Sequence, residues 1–341
     1  MDRTGAKDQY ADSFDSTHRA AFLYGIGNLP FWISMSLLPF PFGSLLPARS
    51  AFGSLPELLL RRVSPSGRSF SSHNASLRAA SDAFIKAKMN DPKLSEQEDM
   101  LALFLRAKSP SGEPMAQQKY VPFLTDIVLS MVIAGRDTTA CLLSWLLLEL
   151  CRNPEVQEKL AAEVSAAFAD EDPTFDTVTH TKLPYLNGCI YEALRMHPPV
   201  PMSVPKYCTK DNVELPNGVD GKPFKLHKRD QIHYVPWVMG RDESVYAEPE
   251  FFRPERWIPF KMPNQYEFPV FQAGPRICLG MNMAVFEAKV MAAMLLRKFK
   301  FRLAPGEEEK ITYSLMVTMS VQNSRPGEPT SHKLLVVPER R

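Results

Sequence analysis

The chain has 341 residues, 45% of them hydrophobic, enough to bury a large core. Its 40 basic and 38 acidic residues leave a formal charge of +2, so no strong field favours nucleic acid and no DNA or RNA partner is expected. The five cysteines (Cys141, Cys151, Cys189, Cys208 and Cys278) form no C-x-x-C pair, which argues against a disulfide framework or a structural zinc site and for a reducing compartment.

The first 20 residues are acidic from the start and lack an apolar core, unlike a secretory signal. From Ala20 to Ala48 no charge appears, but Pro30, Pro39, Pro41 and Pro47 with Gly25, Gly27 and Gly43 would break a spanning helix. An interfacial, membrane-facing segment over 20–48 is expected instead. Residues 39–72 and 109–114 read as loops, and 75–90 and 97–108 as amphipathic helices, the second capped by Ser95. The nearly unbroken apolar run 122–151 predicts a long buried helix that stops before Asn153-Pro154. Helices follow over 154–170 and from Pro184 to His197, where Pro198 and Pro199 end the second.

Between Val204 and Val235, β-favouring runs (VPKYC, NVEL, QIHYV) alternate with Asn-Gly and Asp-Gly turns and predict a small antiparallel sheet. An irregular Pro-rich stretch over 245–270 leads to an apolar helix over 280–298, and KFKFRL, ITYSLMVTMSVQ and HKLLVVP close the chain as strands. The expected fold is mainly α with a minor antiparallel β region. No flexible linker is visible, so 1–341 reads as a single domain.

Residues 271–280, FQAGPRICLG, form a turn-rich loop that brings Cys278 to the start of the apolar helix. A thiol there faces unpaired backbone N–H groups and the positive end of the helix dipole. Gly274 and Gly280 remove side chains where a flat ligand needs close backbone approach, and Arg276 adds a cation two residues before the sulfur. Phe271, Gly274, Arg276, Cys278 and Gly280 fill F-x-x-G-x-R-x-C-x-G, so the chain resembles the cytochromes P-450.

The resemblance implies a haem iron ligated by the Cys278 thiolate, with Arg276 on a haem propionate. Three further marks of that family stand in order. The first is AGRDTT, residues 134–139, which resembles the oxygen-binding groove of the distal helix, with Ala134 and Gly135 against the cofactor. Gly135 loosens the helix, Thr138 can bond back to a carbonyl one turn earlier, and Asp137 with Thr138 is an acid-alcohol pair suited to relaying protons. An Asp and an Arg in so apolar a segment would be costly without a purpose or partner. The second and third marks are Glu192-Ala-Leu-Arg195, followed by MHPPVP, and Phe252-Arg253-Pro254-Glu255-Arg256-Trp257. They imply a structural triad of Glu192, Arg195 and Arg256 that braces the core behind the haem.

By the same resemblance, the chain is expected to be a haem-thiolate monooxygenase that inserts one oxygen atom of O2 into a C–H bond of a hydrophobic small molecule. AGRDTT, Lys206 and FPVFQAGPRICLG are most like the branch that hydroxylates fatty acids or alkanes near the chain terminus, with Val132, Val200, Met202, Val204 and Leu315 as candidate pocket walls. Electrons would come from NADPH through a partner P-450 reductase, with Lys289, Arg297 and Lys298 as a docking face. The implied location is the cytosolic face of the endoplasmic reticulum membrane. Family members are longer and begin with an anchor, a first β region and an early helix that this sequence lacks, so the expected fold is a P-450 fold without its N-terminal part. The competing reading is a non-catalytic, haem-free remnant.

Overall fold

The computed structural model describes residues 65–168, 171–216, 221–308, 311–315, 318–323 and 334–341. The expected membrane-facing segment, 20–48, lies outside them, as do 217–220 of the expected β region. The backbone forms two compact units, one up to Ile133 and one from Ala134 to Arg341.

The first unit holds helices α1 (Pro65–Met89) and α2 (Met100–Arg106) and the start of α3 (Val121–Arg152). Residues 65–72, expected as loop, are the first turns of α1, with Pro65 where a missing N–H costs nothing. Asp99, not Ser95, caps α2: its carboxylate accepts the Ala102 N–H at 3.1 Å. Ser95 lies in a separate 3-10 turn, where its carbonyl accepts from the Arg106 guanidinium at 2.8 Å. Ile85, Leu101, Leu105, Met115, Val121 and Leu124 form this unit's core.

The second unit holds the rest of α3, α4 (Pro154–Ala167), α5 (Pro184–Met196), the single turn α6 (Pro236–Met239) and α7 (Met281–Lys298). Leu142, Leu146 and Leu150 of α3, Leu160 and Val164 of α4, Ile190 and Leu194 of α5, and Ala288, Ala292 and Leu296 of α7 recur at helical spacing and share one core. Each leucine or isoleucine buried there contributes about 1.5–3 kcal/mol. Every residue of α5 from Leu186 to Met196 is buried. Its entry is held by Glu163 of α4, whose carboxylate accepts the Tyr185 and Leu186 N–H groups at 2.8 and 2.7 Å.

The strands form four separate antiparallel pairs: β1 (Lys206–Tyr207) with β4 (Gln231–Ile232), β2 (Val213–Leu215) with β3 (Phe224–Leu226), β5 (Phe299–Leu303) with β8 (Val336–Arg340), and β6 (Ile311–Leu315) with β7 (Met319–Asn323). The single sheet expected near 204–235 is therefore two small pairs, one nested in sequence inside the other. ITYSLMVTMSVQ turns back on itself, with Ile311 opposite Asn323 and Leu315 opposite Met319.

The expectation of a buried α3 holds only in part. From Cys141 to Leu150 its side chains enter the core, but Ile133, Ala134, Gly135 and Arg136 are exposed. Apolar composition signals helix and low polarity; it does not say which neighbour covers each turn.

Candidate functional site

Cys278 is a free, exposed thiol two residues ahead of the Gly280 cap of α7, which begins at Met281 rather than near Leu279. Two 3-10 turns, Pro269–Phe271 and Gly274–Arg276, fold the preceding loop. The Cys278 N–H donates to the Phe271 carbonyl at 2.8 Å, the Ile277 N–H to the Gly274 carbonyl at 3.1 Å, and the Gly274 N–H to Gln265 Oε1 at 3.0 Å. Gly274 has φ +67°, which a side chain would strain. At Gly280 a Cβ would stand 3.9 Å from the Cys278 sulfur, so glycine keeps that flank of the sulfur free.

Around the thiol the surface is apolar and open: Leu279 is 87% exposed and Ile277 43%. Arg276 is exposed and makes no ion pair among the described residues. The described residues hold no group of three or more His, Cys, Asp and Glu placed to bind a bare metal ion. A lone accessible sulfur donor beside exposed aliphatic side chains and a guanidinium without an ion pair among the described residues suits an iron that arrives in its own macrocycle, so the residues present fit a haem.

On α3 the Thr138 hydroxyl donates to the Ala134 carbonyl at 2.8 Å, the back-bond expected of it. The helix nonetheless runs without interruption through 134–139. Asp137 and Arg136 are not stranded in a core: both are partly exposed, and they pair at 3.7 Å. A Cβ on Gly135 would meet nothing within 4 Å, so crowding by described atoms is not what requires glycine there.

The structure brings Glu192, Arg195 and Arg256 together. Glu192 Oε1 accepts from Arg195 Nη2 at 2.7 Å, from the Arg253 N–H at 3.0 Å and from Arg256 Nε at 3.3 Å; Oε2 accepts from Arg195 Nε at 2.9 Å and Trp257 Nε1 at 2.8 Å. Glu192 and Arg195 are both fully buried, and Arg195 also donates to the carbonyls of Gly240 and Phe251. Sequence reasoning missed Trp257 and the Arg253 backbone as partners. It also missed Gly188, where a Cβ would come within 2.6 Å of the Pro254 carbonyl oxygen, so only glycine lets α5 lie on the Pro254–Trp257 turn.

A second buried cluster was also missed. His197 Nε2 and Glu149 Oε1 lie 3.0 Å apart, and the imidazole stacks on Trp145 at 4.4 Å, while Tyr313 stacks on Trp145 at 4.9 Å. Burial pushes the His197 imidazole below its ordinary value, only partly offset by the Glu149 hydrogen bond. Burial alone would raise the Glu149 carboxyl, but hydrogen bonding and charge from His197 and Arg152 more than offset it and hold it low. The only sequence signal was that a histidine and a glutamate sit where helices α5 and α3 end.

Other expectations are corrected. Lys289 is 7% exposed, with its amine pushed down to about 8 by burial, and Arg297 is engaged by the carbonyls of Phe168 and Glu171, so neither is a free docking charge. Val132 packs with Leu77 and Leu129 within the first unit, Met202 and Val204 are exposed, and the Leu315 side chain lies outside the described ones. A cavity of about 380 Å³ does adjoin the cysteine loop, walled by Tyr191, Met262, Phe268, Phe271, Ile277 and Met281 among others, none of them an expected wall residue.

Against known proteins, residues 49–330 match the family model for cytochrome P450. The chain belongs to the cytochrome P450 family. It is 29% identical over 331 residues to cytochrome P450 94C1 of Arabidopsis thaliana, covering 92% of this chain and 63% of that protein. It is 32% identical over 239 residues to cytochrome P450 704C1 of Pinus taeda, covering 65% of this chain and 44% of that one. Alkane hydroxylase MAH1 of Arabidopsis thaliana is 33% identical over 202 residues, 58% of this chain and 38% of its own. The chain thus spans less than two thirds of the length of these curated relatives. A crystal structure of a cytochrome P450 (CYP102L1) superposes with a TM-score of 0.63 at 24% identity, covering 81% of this chain and 58% of that one, which shows the mainly α P450 fold.

Proposed function

We propose that this chain carries the haem-thiolate centre of a P450 monooxygenase, with Cys278 as the residue that would hold the iron. The observation that carries the reading is the exposed, free Cys278 thiol, pinned through its own N–H to Phe271 in a loop shaped by Gly274 and opened by Gly280. Phe271, Gly274, Arg276 and Gly280 would hold the macrocycle, Arg276 through a propionate, with Ala134 and Gly135 of α3 as the further residues that would border it. Haem supplies, when bound, the activation of dioxygen that leads to insertion of one oxygen atom into a C–H bond.

The protein's own contribution is binding, orientation and proton supply. The Thr138 hydroxyl, oriented by its bond to the Ala134 carbonyl, would pass protons toward the site, with the neighbouring Asp137 carboxylate, partly exposed on α3, as the relay to solvent. Glu192, Arg195 and Arg256 do no chemistry; they keep α5 and the Pro254–Trp257 turn as a rigid base. We assign the substrate to the long-chain fatty acids or alkanes, supported by the likeness to alkane hydroxylase MAH1. An NADPH-dependent P450 reductase would supply electrons at the endoplasmic reticulum membrane, with 1–341 acting within one catalytic domain.

The test is the spectrum of the purified chain, reduced under carbon monoxide after incubation with haemin. A strongly red-shifted Soret band that disappears in Cys278→Ser is the expected result. No haem band, or one unchanged in Cys278→Ser, overturns the assignment.

A further inference from the structure

Gln272 stands six residues before the cysteine, with φ 66° and ψ −178°. That region of backbone space is essentially reserved for glycine, because a Cβ collides there with the adjoining peptide. The strain sits at a critical point. The peptide unit joining Phe271 to Gln272 is held on both sides: its N–H donates to the Pro269 carbonyl at 3.0 Å, and its carbonyl accepts the Cys278 N–H at 2.8 Å. The φ of Gln272 is one of the two torsions that set the tilt of this unit, and therefore where the Cys278 backbone is tied.

A glycine would take up this conformation without strain, so what glutamine adds is its side-chain amide. That amide has a partner far off in sequence: the Tyr234 hydroxyl donates to Gln272 Oε1. Tyr234 is itself anchored, its N–H donating to Ser203 Oγ at 3.0 Å and its carbonyl accepting the Ser203 N–H at 2.8 Å, with Ser203 only 2% exposed. Burial holds the phenol above its ordinary value, so it stays a donor throughout the physiological range.

We infer that Tyr234 and Gln272 form a clamp that fixes the Phe271–Gln272 peptide and so positions Cys278, making both of them positioning residues for the thiolate. The consequence for haem rests on the reading proposed above; the clamp itself does not.

The experiment has two arms. In the chain without haem, hydrogen–deuterium exchange of the Cys278 amide reads the Phe271 bond directly. Tyr234→Phe is expected to speed that exchange at least tenfold. Gln272→Ala, which keeps the strain and loses the amide, should do the same. Adding Tyr234→Phe to Gln272→Gly should change nothing further, because the amide that Tyr234 holds is already gone. An exchange rate in Tyr234→Phe within twofold of the parent, or an equal effect of Tyr234→Phe in the Gln272→Gly background, overturns the clamp. After incubation with haemin, Tyr234→Phe should move the reduced carbon monoxide spectrum from the thiolate position toward that of a neutral ligand while the melting temperature stays within about 2 °C of the parent, which separates positioning from general loss of stability. If exchange responds as expected but no variant, nor the parent, gives a thiolate band, the clamp stands and the haem reading falls.

Discussion

Replacing Glu192 by glutamine exchanges one carboxylate oxygen for an NH2 group in a site where every neighbour is a donor. Five donors converge: two nitrogens of Arg195, the Arg253 N–H, Arg256 Nε and Trp257 Nε1. If the amide nitrogen takes the Oε1 place it faces Arg195, Arg253 and Arg256; in the Oε2 place it faces Arg195 and Trp257. In either orientation donor meets donor, and Arg195, fully buried, loses the negative charge that balances it. Breaking a buried pair by removing one charge costs about 3–5 kcal/mol. For a unit of this size each kcal/mol shifts the melting temperature by about 2–4 °C, so Glu192→Gln should melt roughly 6–20 °C below the parent. The assay is thermal unfolding followed by far-UV circular dichroism at neutral pH. The control is Lys159→Ala, which removes an exposed pair with Glu255 at 3.0 Å and should cost less than about 1 kcal/mol. A Glu192→Gln protein that melts within about 2 °C of the parent would refute the triad as the brace of α5.

Three further perturbations separate packing, titration and chemistry. Gly188→Ala should destabilise by about 1–3 kcal/mol because its Cβ meets the Pro254 carbonyl, whereas Gly135→Ala, with open space around it, should stabilise α3 by about 0.5–1 kcal/mol; urea unfolding of both proteins checks the contrast. His197 binds its proton more weakly in the folded chain than in the unfolded one, so its contribution is present above the ordinary value of 6.5 and is lost as pH falls toward the lower folded value. Between pH 6.5 and 5 the parent should lose stability with a slope of up to about 1.4 kcal/mol per pH unit, and His197→Gln should flatten that slope; equal slopes in the two proteins would remove His197 as the cause. Thr138→Ala should keep haem yet divert reducing equivalents into peroxide, measured as hydrogen peroxide released per NADPH consumed, and unchanged coupling would end the role given to its hydroxyl.

The local readings came through where a short segment carries its own punctuation. Asn153-Pro154, Pro184 and the Pro198-Pro199 pair bracket helices that run 121–152, 154–167 and 184–196, within a few residues of expectation, because proline acts on its own backbone and needs no partner. Phe271 to Gly280 was legible for a similar reason: the residues that shape the loop lie within ten positions of one another. Glu192 and Arg195, one turn apart on one helix, were equally plain.

What went unread lies in pairs far apart in the chain. The Tyr234 hydroxyl reaches Gln272 across 38 residues and the Trp145 indole donates to the Met319 carbonyl across 174, separations for which no pattern in the sequence stands. Exposure was misjudged for a related reason. Lys289 reads as a solvated docking charge, yet it is buried, because burial depends on which neighbours the fold brings over each turn and not on the side chain's own polarity. The type and approximate bounds of most helices, the cysteine loop and the Glu192–Arg195 pair follow from local chemistry, while Arg256, 64 residues away, joined that pair only through the family resemblance. The strand pairing, the clamp on Gln272, the His197–Glu149 pair and the need for glycine at 188 exist only once distant segments have packed.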